Sequence, residues 1–245
     1  MGWNVYKGGR TDGVDRIGAL LAVLGSLQAD VVVLSEITAA THPDWVEGLR
    51  SLGLTNQAST VGEVTAEQKY ALVIASRSHL VVADPPADCP YPQRVLVVEL
   101  GDLFITGIHP PWNEASGGGA FYTWLRSAVA PLRGRRAMII GDFNADPAEP
   151  VSETAELGEY FGGLLRDGWR HALHEADPTG DHPSTFWPDV GPRVLDHCLL
   201  APGPGLELES AHIVDRAPGV PMPHVGFDVA DGALSDHRPI VVDVR

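Results

Sequence analysis

Lysine is almost absent from this 245-residue chain: Lys7 and Lys69 are the only two, and arginine carries the rest of the positive side-chain charge. Lys and Arg total 17 against 32 Asp and Glu, a formal net charge of −15 at pH 7. A field of that sign repels long polyanions at a distance. It disfavours tight non-specific nucleic-acid binding, which rests on neutralising phosphates. It leaves open phosphate chemistry at a site where a bound divalent cation changes the local sign. Cysteine is scarce too: Cys89 lies in a Pro-rich stretch and Cys198 in an apolar run. Two cysteines in such unlike settings argue against a disulfide framework and against a zinc site. No apolar run approaches the length of a membrane span. The start, Met1-Gly2-Trp3-Asn4-Val5, lacks the basic-then-apolar pattern of a signal peptide. The expectation is a cytoplasmic protein, monomeric by default. The first strand begins almost at once, which leaves room for further residues upstream. No internal repeat and no linker is visible.

What is present reads as one large α/β domain over residues 1–245. Ile17, Leu20, Leu21, Leu24 and Leu27 recur at helical spacing and predict a helix over 14–28, with Thr11 or Asp12 as its cap. The apolar run from Val31 to Glu36 suits a strand covered on both faces. Further strands are expected at 71–76, 94–99, 103–108, 137–140, 194–200, 206–214 and 240–244. Gly101-Asp102 makes a hairpin turn between two of them. Helices are expected over 121–132 and 153–166. Strand–helix alternation early and hairpins mid-chain imply mixed sheets in a layered α/β sandwich. Residues 84–92, 111–120 and 215–235 are rich in Pro, Gly or both and read as long surface loops.

Chemistry-bearing residues collect at the strand ends. Asp142 and Asn144 follow the run Ala137–Ile140. Residues two apart share a strand face, so a carboxylate and an amide would enter one cleft. The competing reading is a local Asx turn. Asp236-His237 precedes Ile240-Val241-Val242. A histidine oriented by a carboxylate serves as a general base, and Asp196 is the candidate orienter. Glu36 ends an apolar strand, where a carboxylate is either solvated or a ligand for a hard cation. Asn4 and Asp236 could join it, and His109 closes the strand 103–108. His171 and His174 are spaced like a helical metal pair but lack a third ligand. Arg133, Arg135 and Arg136 precede a strand and fall at the end away from Asp142. Trp124 reads as part of a helix stripe, while Trp112 and Trp187 are candidates to face a substrate.

Six blocks then line up in order: Trp3-Asn4-Val5, Leu34-Ser35-Glu36-Ile37, His109, Gly141-Asp142-Phe143-Asn144, Val194-Leu195-Asp196-His197 and Ser235-Asp236-His237-Arg238-Pro239. Together they resemble the endonuclease/exonuclease/phosphatase superfamily, the deoxyribonuclease I-like fold, across essentially the whole chain. The resemblance implies a four-layer sandwich of two mixed β-sheets packed face to face with helices outside. It implies Mg²⁺- or Mn²⁺-dependent cleavage of phosphate esters. By that likeness Glu36 is the principal metal ligand, with Asn4 and Asp236 nearby. His237 is the base or water-orienting residue, held by Asp196. His109 and Asn144 are donors to the scissile phosphate, and Asp142 orients the nucleophile or assists the leaving group. The residue that partners His109 is unassigned, with Glu67, Gln68 and Lys69 competing. Three readings stay open: a nuclease or phosphodiesterase acting on DNA or RNA, a phosphatase or phosphodiesterase of a small molecule or lipid head group, and an inactive binding module.

Overall fold

The structure is a computed structural model that describes residues 1–11, 13–83, 88–147, 153–180, 182–186, 193–203, 205–216 and 233–245. In chain order the strands are β1 (Gly2–Asn4), β2 (Arg10–Thr11), β3 (Val14–Asp15), β4 (Val31–Ile37), β5 (Asn56–Ser59), β6 (Ala71–Ser76), β7 (Val81–Ala83), β8 (Val95–Leu100), β9 (Leu103–Ile108), β10 (Ala137–Asp142), β11 (Arg170–His171), β12 (Asp196–Leu200), β13 (Leu208–Ile213) and β14 (Ile240–Val244). The helices are α1 (Ile17–Leu27), α2 (His42–Ser51), α3 (Gly118–Val129), α4 (Glu153–Arg166) and α5 (Ala172–Ala176). One sheet runs β13-β14-β1-β4-β6-β5 and the other β11-β12-β10-β9-β8-β7. Each is mixed. β1 and β4 are parallel in the first, β9 and β10 in the second, and the other pairs are antiparallel.

Period-two alternation explains the layers. On β4, Val32 and Leu34 pack outward with Leu20, Leu24, Trp45 and Leu49 of α1 and α2, while Val33 packs inward. On β10, Ala137 and Ile139 pack with Phe121, Leu125 and Phe161 of α3 and α4. Met138 and Ile140 face the space between the sheets, beside Cys198, Leu200 and Ile240. Helix, sheet, sheet and helix therefore enclose three apolar layers, which is the four-layer sandwich expected. Fully burying one such side chain is worth about 1.5–3 kcal/mol.

Several boundaries move. Helix α1 starts at Ile17 because Val14 and Asp15 pair with Arg10 and Thr11 in a small hairpin. Its first N–H is met by Asp15 Oδ1 at 3.0 Å rather than by Thr11, and Asp12 lies outside the described residues. Helix α3 begins inside the expected 111–120 loop, at Gly118. Helix α2 and strand β5 form where the sequence pattern predicts no element. Arg133 pairs with Asp167 and Arg136 with Asp102 in a partly solvated basic turn ahead of β10.

Candidate active site

The same alternation that aims Met138 and Ile140 between the sheets aims Asp142 there, at the rim where the core ends. Asn4 on β1, His109 just past β9 and Asp196 at the start of β12 share that inward parity with Gly2, Gly107 and Cys198. Glu36 does not. Strict alternation would send it outward with Val32 and Leu34. The register of β4 with β6 instead slips between Leu34 and Ile37, and Glu36 takes a left-handed φ of 63°. This bulge restores Ile37 to the outer core and frees Glu36 for the rim. A non-glycine residue held in that region is strained, and such strain gathers at functional sites.

A second strained segment holds Glu36 in place. Tyr6, Lys7, Gly8 and Gly9 are all left-handed, with φ of 47°, 52°, 70° and 80°. The turn aims the Lys7 N–H at Glu36 Oε2, 2.7 Å away. Trp45 donates to the Gly8 carbonyl at 2.9 Å, and Arg16 bonds the Tyr6 and Leu234 carbonyls. Asn4 accepts from the Tyr6 N–H and donates to both Glu36 Oε1 (3.2 Å) and Asp142 Oδ2 (2.9 Å).

Two histidines approach the same oxygen of Asp142. His109 Nε2 is 3.6 Å and His237 Nε2 3.8 Å from Asp142 Oδ2. Arg94 Nη1 lies 2.7 Å from His109 Nδ1. A guanidinium only donates, so His109 Nδ1 accepts and its proton sits on Nε2. Burial, Arg94 and His237 together push the His109 pKa well below the ordinary value, so the ring is a neutral donor. His237 is the opposite case. Burial pulls its pKa down, but Asp196, Asp142 and Asp236 outweigh it and raise it well above the ordinary histidine range. Its Nδ1 donates to Asp196 Oδ2 at 2.7 Å. Burial raises Asp142, with His237 opposing and Asp196 adding to the rise. Burial also pushes Asp236 up to about 7, against His237 and helped by Glu36. Ser235 Oγ donates to the Asn4 carbonyl at 2.7 Å, and Trp3 Nε1 to the His237 carbonyl at 2.9 Å, locking the C-terminal motif onto β1.

Asn4, Glu36, His109, Asp142, Asp196, Asp236 and His237 thus converge. Asn144 stands apart in detail. It lies beyond the end of β10 with a left-handed φ of 50°, so strand alternation no longer sets its direction. Its N–H caps Asp142 Oδ1 at 2.8 Å and its amide donates to the Pro110 carbonyl at 2.9 Å. The Asx turn read from the sequence is therefore present, formed by the Asp142 carboxylate. Among Glu67, Gln68 and Lys69, Gln68 turns to Gln93. Arg94, outside the segment 67–69, holds His109. Counting back from the two-residue turn finds it: the β8–β9 ladder pairs Leu100 with Leu103 and Val95 with Ile108, which puts Arg94 opposite His109. His171 pairs with His197 at 3.0 Å, and His197 donates to the Ala145 carbonyl at 2.9 Å. Trp112 is 55% exposed on the loop after His109, and Trp187 lies outside the described residues. Among the described residues, no three of His, Cys, Asp and Glu stand close enough to enclose a metal ion, and no helix is long and apolar enough to cross a membrane.

The model of the endonuclease/exonuclease/phosphatase family matches residues 1–237. The chain belongs to that family. As an endonuclease/exonuclease/phosphatase family member it is a phosphoesterase. No curated protein sequence matches it. Among solved structures it is similar to a Neisseria 3′ phosphatase, NExo, bound to product DNA hairpin, at 17% identity and a TM-score of 0.70 over 94% of each chain. It is similar to an AP endonuclease from Archaeoglobus fulgidus at 15% identity and 0.70 over 93% of each. It also matches an endonuclease/exonuclease/phosphatase from Beutenbergia cavernae at 20% identity and 0.63, over 99% of this chain and 70% of that one. At these identities the likeness carries the family's fold, the two-sheet sandwich described above.

Proposed function

We propose that the protein is a divalent-metal-dependent nuclease or phosphodiesterase in which His237, held by Asp196, orients the attacking water. The observation that carries this reading is the pair of histidines at Asp142 Oδ2: a neutral Nε2–H donor on His109, and a carboxylate-anchored ring on His237. A phosphoryl group at the rim would receive a hydrogen bond from His109, while His237 and Asp142 align water for attack on phosphorus. As the water oxygen bonds phosphorus it gives a proton to Asp142, whose pKa burial raises; the P–O bond to the leaving group breaks, and that proton passes to the leaving oxygen.

The donor set suits a hard cation. Glu36 and Asp236 offer carboxylate oxygens, and Asp236 is a buried acid whose pKa burial and like charge raise. Such a carboxylate gains from a cation beside it. Two carboxylates with the rest of the shell left to water is the habit of Mg²⁺. Asn4, with its oxygen bonded to Tyr6 N–H, serves this reading as a brace for Glu36 and Asp142 rather than as a direct ligand. When bound, the cation supplies Lewis-acid polarisation of a phosphoryl oxygen.

The neighbours named for a 3′ phosphatase with DNA and for an AP endonuclease support a nucleic-acid substrate. The −15 charge favours the second reading, a small-molecule or lipid-head-group phosphoesterase. The test is hydrolysis of plasmid, single-stranded DNA and RNA, bis-p-nitrophenyl phosphate, p-nitrophenyl phosphate and inositol phosphates with Mg²⁺ or Mn²⁺. Nicking that disappears in His237→Ala and Glu36→Ala supports the nuclease. Small-ester turnover alone moves the assignment to the second reading. Turnover by Glu36→Ala equal to wild type refutes the metal-dependent mechanism.

A further inference from the structure

The His237–Asp196 pair has a support that lies outside every sequence block named above. Asp196 is the first residue of β12 and pairs with Asp142, the last of β10, so the ladder ends there. Among the described residues its side chain has one hydrogen bond, from His237 to Oδ2, and buried Asp196 Oδ1 meets no partner. The direction of the carboxylate therefore depends on what fixes its main chain. Thr185, fully buried, supplies that hold. Thr185 Oγ1 accepts two consecutive backbone N–H groups, from Leu195 at 2.8 Å and from Asp196 at 3.1 Å. Two buried donors would otherwise lose their acceptor. The Thr185 carbonyl accepts the Arg238 N–H at 2.7 Å, one residue beyond His237, and its N–H donates to the Arg193 carbonyl at 2.8 Å. The next residue, Phe186, sets its ring 4.7 Å from the His237 ring at 34°.

We propose that Thr185 is the positioning residue of the dyad, its hydroxyl fixing the Asp196 main chain while its carbonyl fixes the chain beside His237, so that the 2.7 Å contact is preset. One buried residue is bonded to the main chain of Asp196 and to the main chain of the residue that follows His237. Its role in turnover rests on the reading of His237 as the water-orienting group; its role in the geometry does not.

Thr185→Val keeps the shape and removes the acceptor, whereas Thr185→Ser keeps the acceptor. Folded Thr185→Val should lose at least ~10-fold in kcat with KM within ~2-fold, and Thr185→Ser should stay within ~3-fold of wild type, since misplacing a positioning group by an ångström costs on the order of 10²-fold. The low-field proton resonance of His237 Nδ1–H gives a readout independent of turnover. It should move or vanish in the valine variant and persist in the serine variant. Should Thr185→Val not fold, Thr185→Ala, which leaves space for a water, is measured in the same two ways with the same expectation. An unmoved resonance in the valine or alanine variant overturns the proposal, as does a serine variant that falls as far as valine. If no ester is hydrolysed by any variant, the proposed function fails while the resonance still decides the role of Thr185.

Discussion

Acidification should unfold this protein through His171, and the size of the effect can be worked out. Burial, first, and the neighbouring His197 lower the His171 pKa from 6.5 to about 2. His197, also lowered by burial, donates from Nε2 to the Ala145 carbonyl. Its Nδ1 therefore accepts, and His171 Nε2–H donates to it. The native state keeps His171 neutral, while the unfolded chain takes up a proton below pH 6.5. Stability is untouched above that pH and falls as pH drops from 6.5 toward 2. With a folded value that low, the unfolded state gains about 2 kcal/mol between pH 7.5 and pH 5 from this group alone. Other groups titrate over the same range, so the difference from a non-titrating variant isolates it. Thr-like truncation would leave His197 without a donor, whereas Gln still offers an N–H. Urea unfolding of wild type and His171→Gln at pH 7.5 and 5 should show wild type losing about 2 kcal/mol more than the variant. Parallel stability curves would refute a neutral, half-buried His171.

Three further outcomes are expected. Gly141 has a φ of 147°, and a Cβ there would overlap the Ile108 carbonyl oxygen on β9. Gly141→Ala should part β9 from β10, costing about 1–3 kcal/mol in thermal or urea unfolding. Because His109 and Asp142 adjoin the clash, it should also cost on the order of 10²-fold in phosphoesterase kcat. Tyr122 donates to the Phe143 carbonyl at 2.6 Å in full burial, so Tyr122→Phe should cost about 1–2 kcal/mol, read as a lower urea midpoint with unchanged slope. Arg94→Gln removes the guanidinium that sets the His109 tautomer and should lower kcat with little change in unfolding free energy. Undiminished kcat would separate Arg94 from the site.

The core strands were legible because they are buried on both faces. β4 and β10 are continuous apolar runs, which few other structures accommodate. Helix α2 was not, since only Trp45 and Leu49 of it are buried, and β5 reads Asn-Gln-Ala-Ser at a sheet edge. For the site, residue types at strand ends were readable but directions were not. Nothing local marks the slip that turns Glu36 inward, because it is a property of the pairing with β6. Arg94 was within reach of simple counting from the Gly101-Asp102 turn. Thr185 was beyond it: the acceptor it provides matters only once β12, its preceding residues and the C-terminal motif lie side by side.

The left-handed run from Tyr6 to Gly9 has a consequence for how relatives are compared. At Gly8 a methyl group would meet the hydroxyls of Thr41 and Thr38, and at Gly9 the side chains of Ile17 and Leu20. A homologue with alanine at either place would keep Asn4, Glu36, His109, Asp142, Asp196, Asp236 and His237 in an alignment. It would still lose the amide that pins Glu36. Intactness in such a lineage is recorded by two missing carbons as much as by seven side chains. A transplant of the seven onto another scaffold, without that turn, would copy the letters and leave out the fixture that aims them.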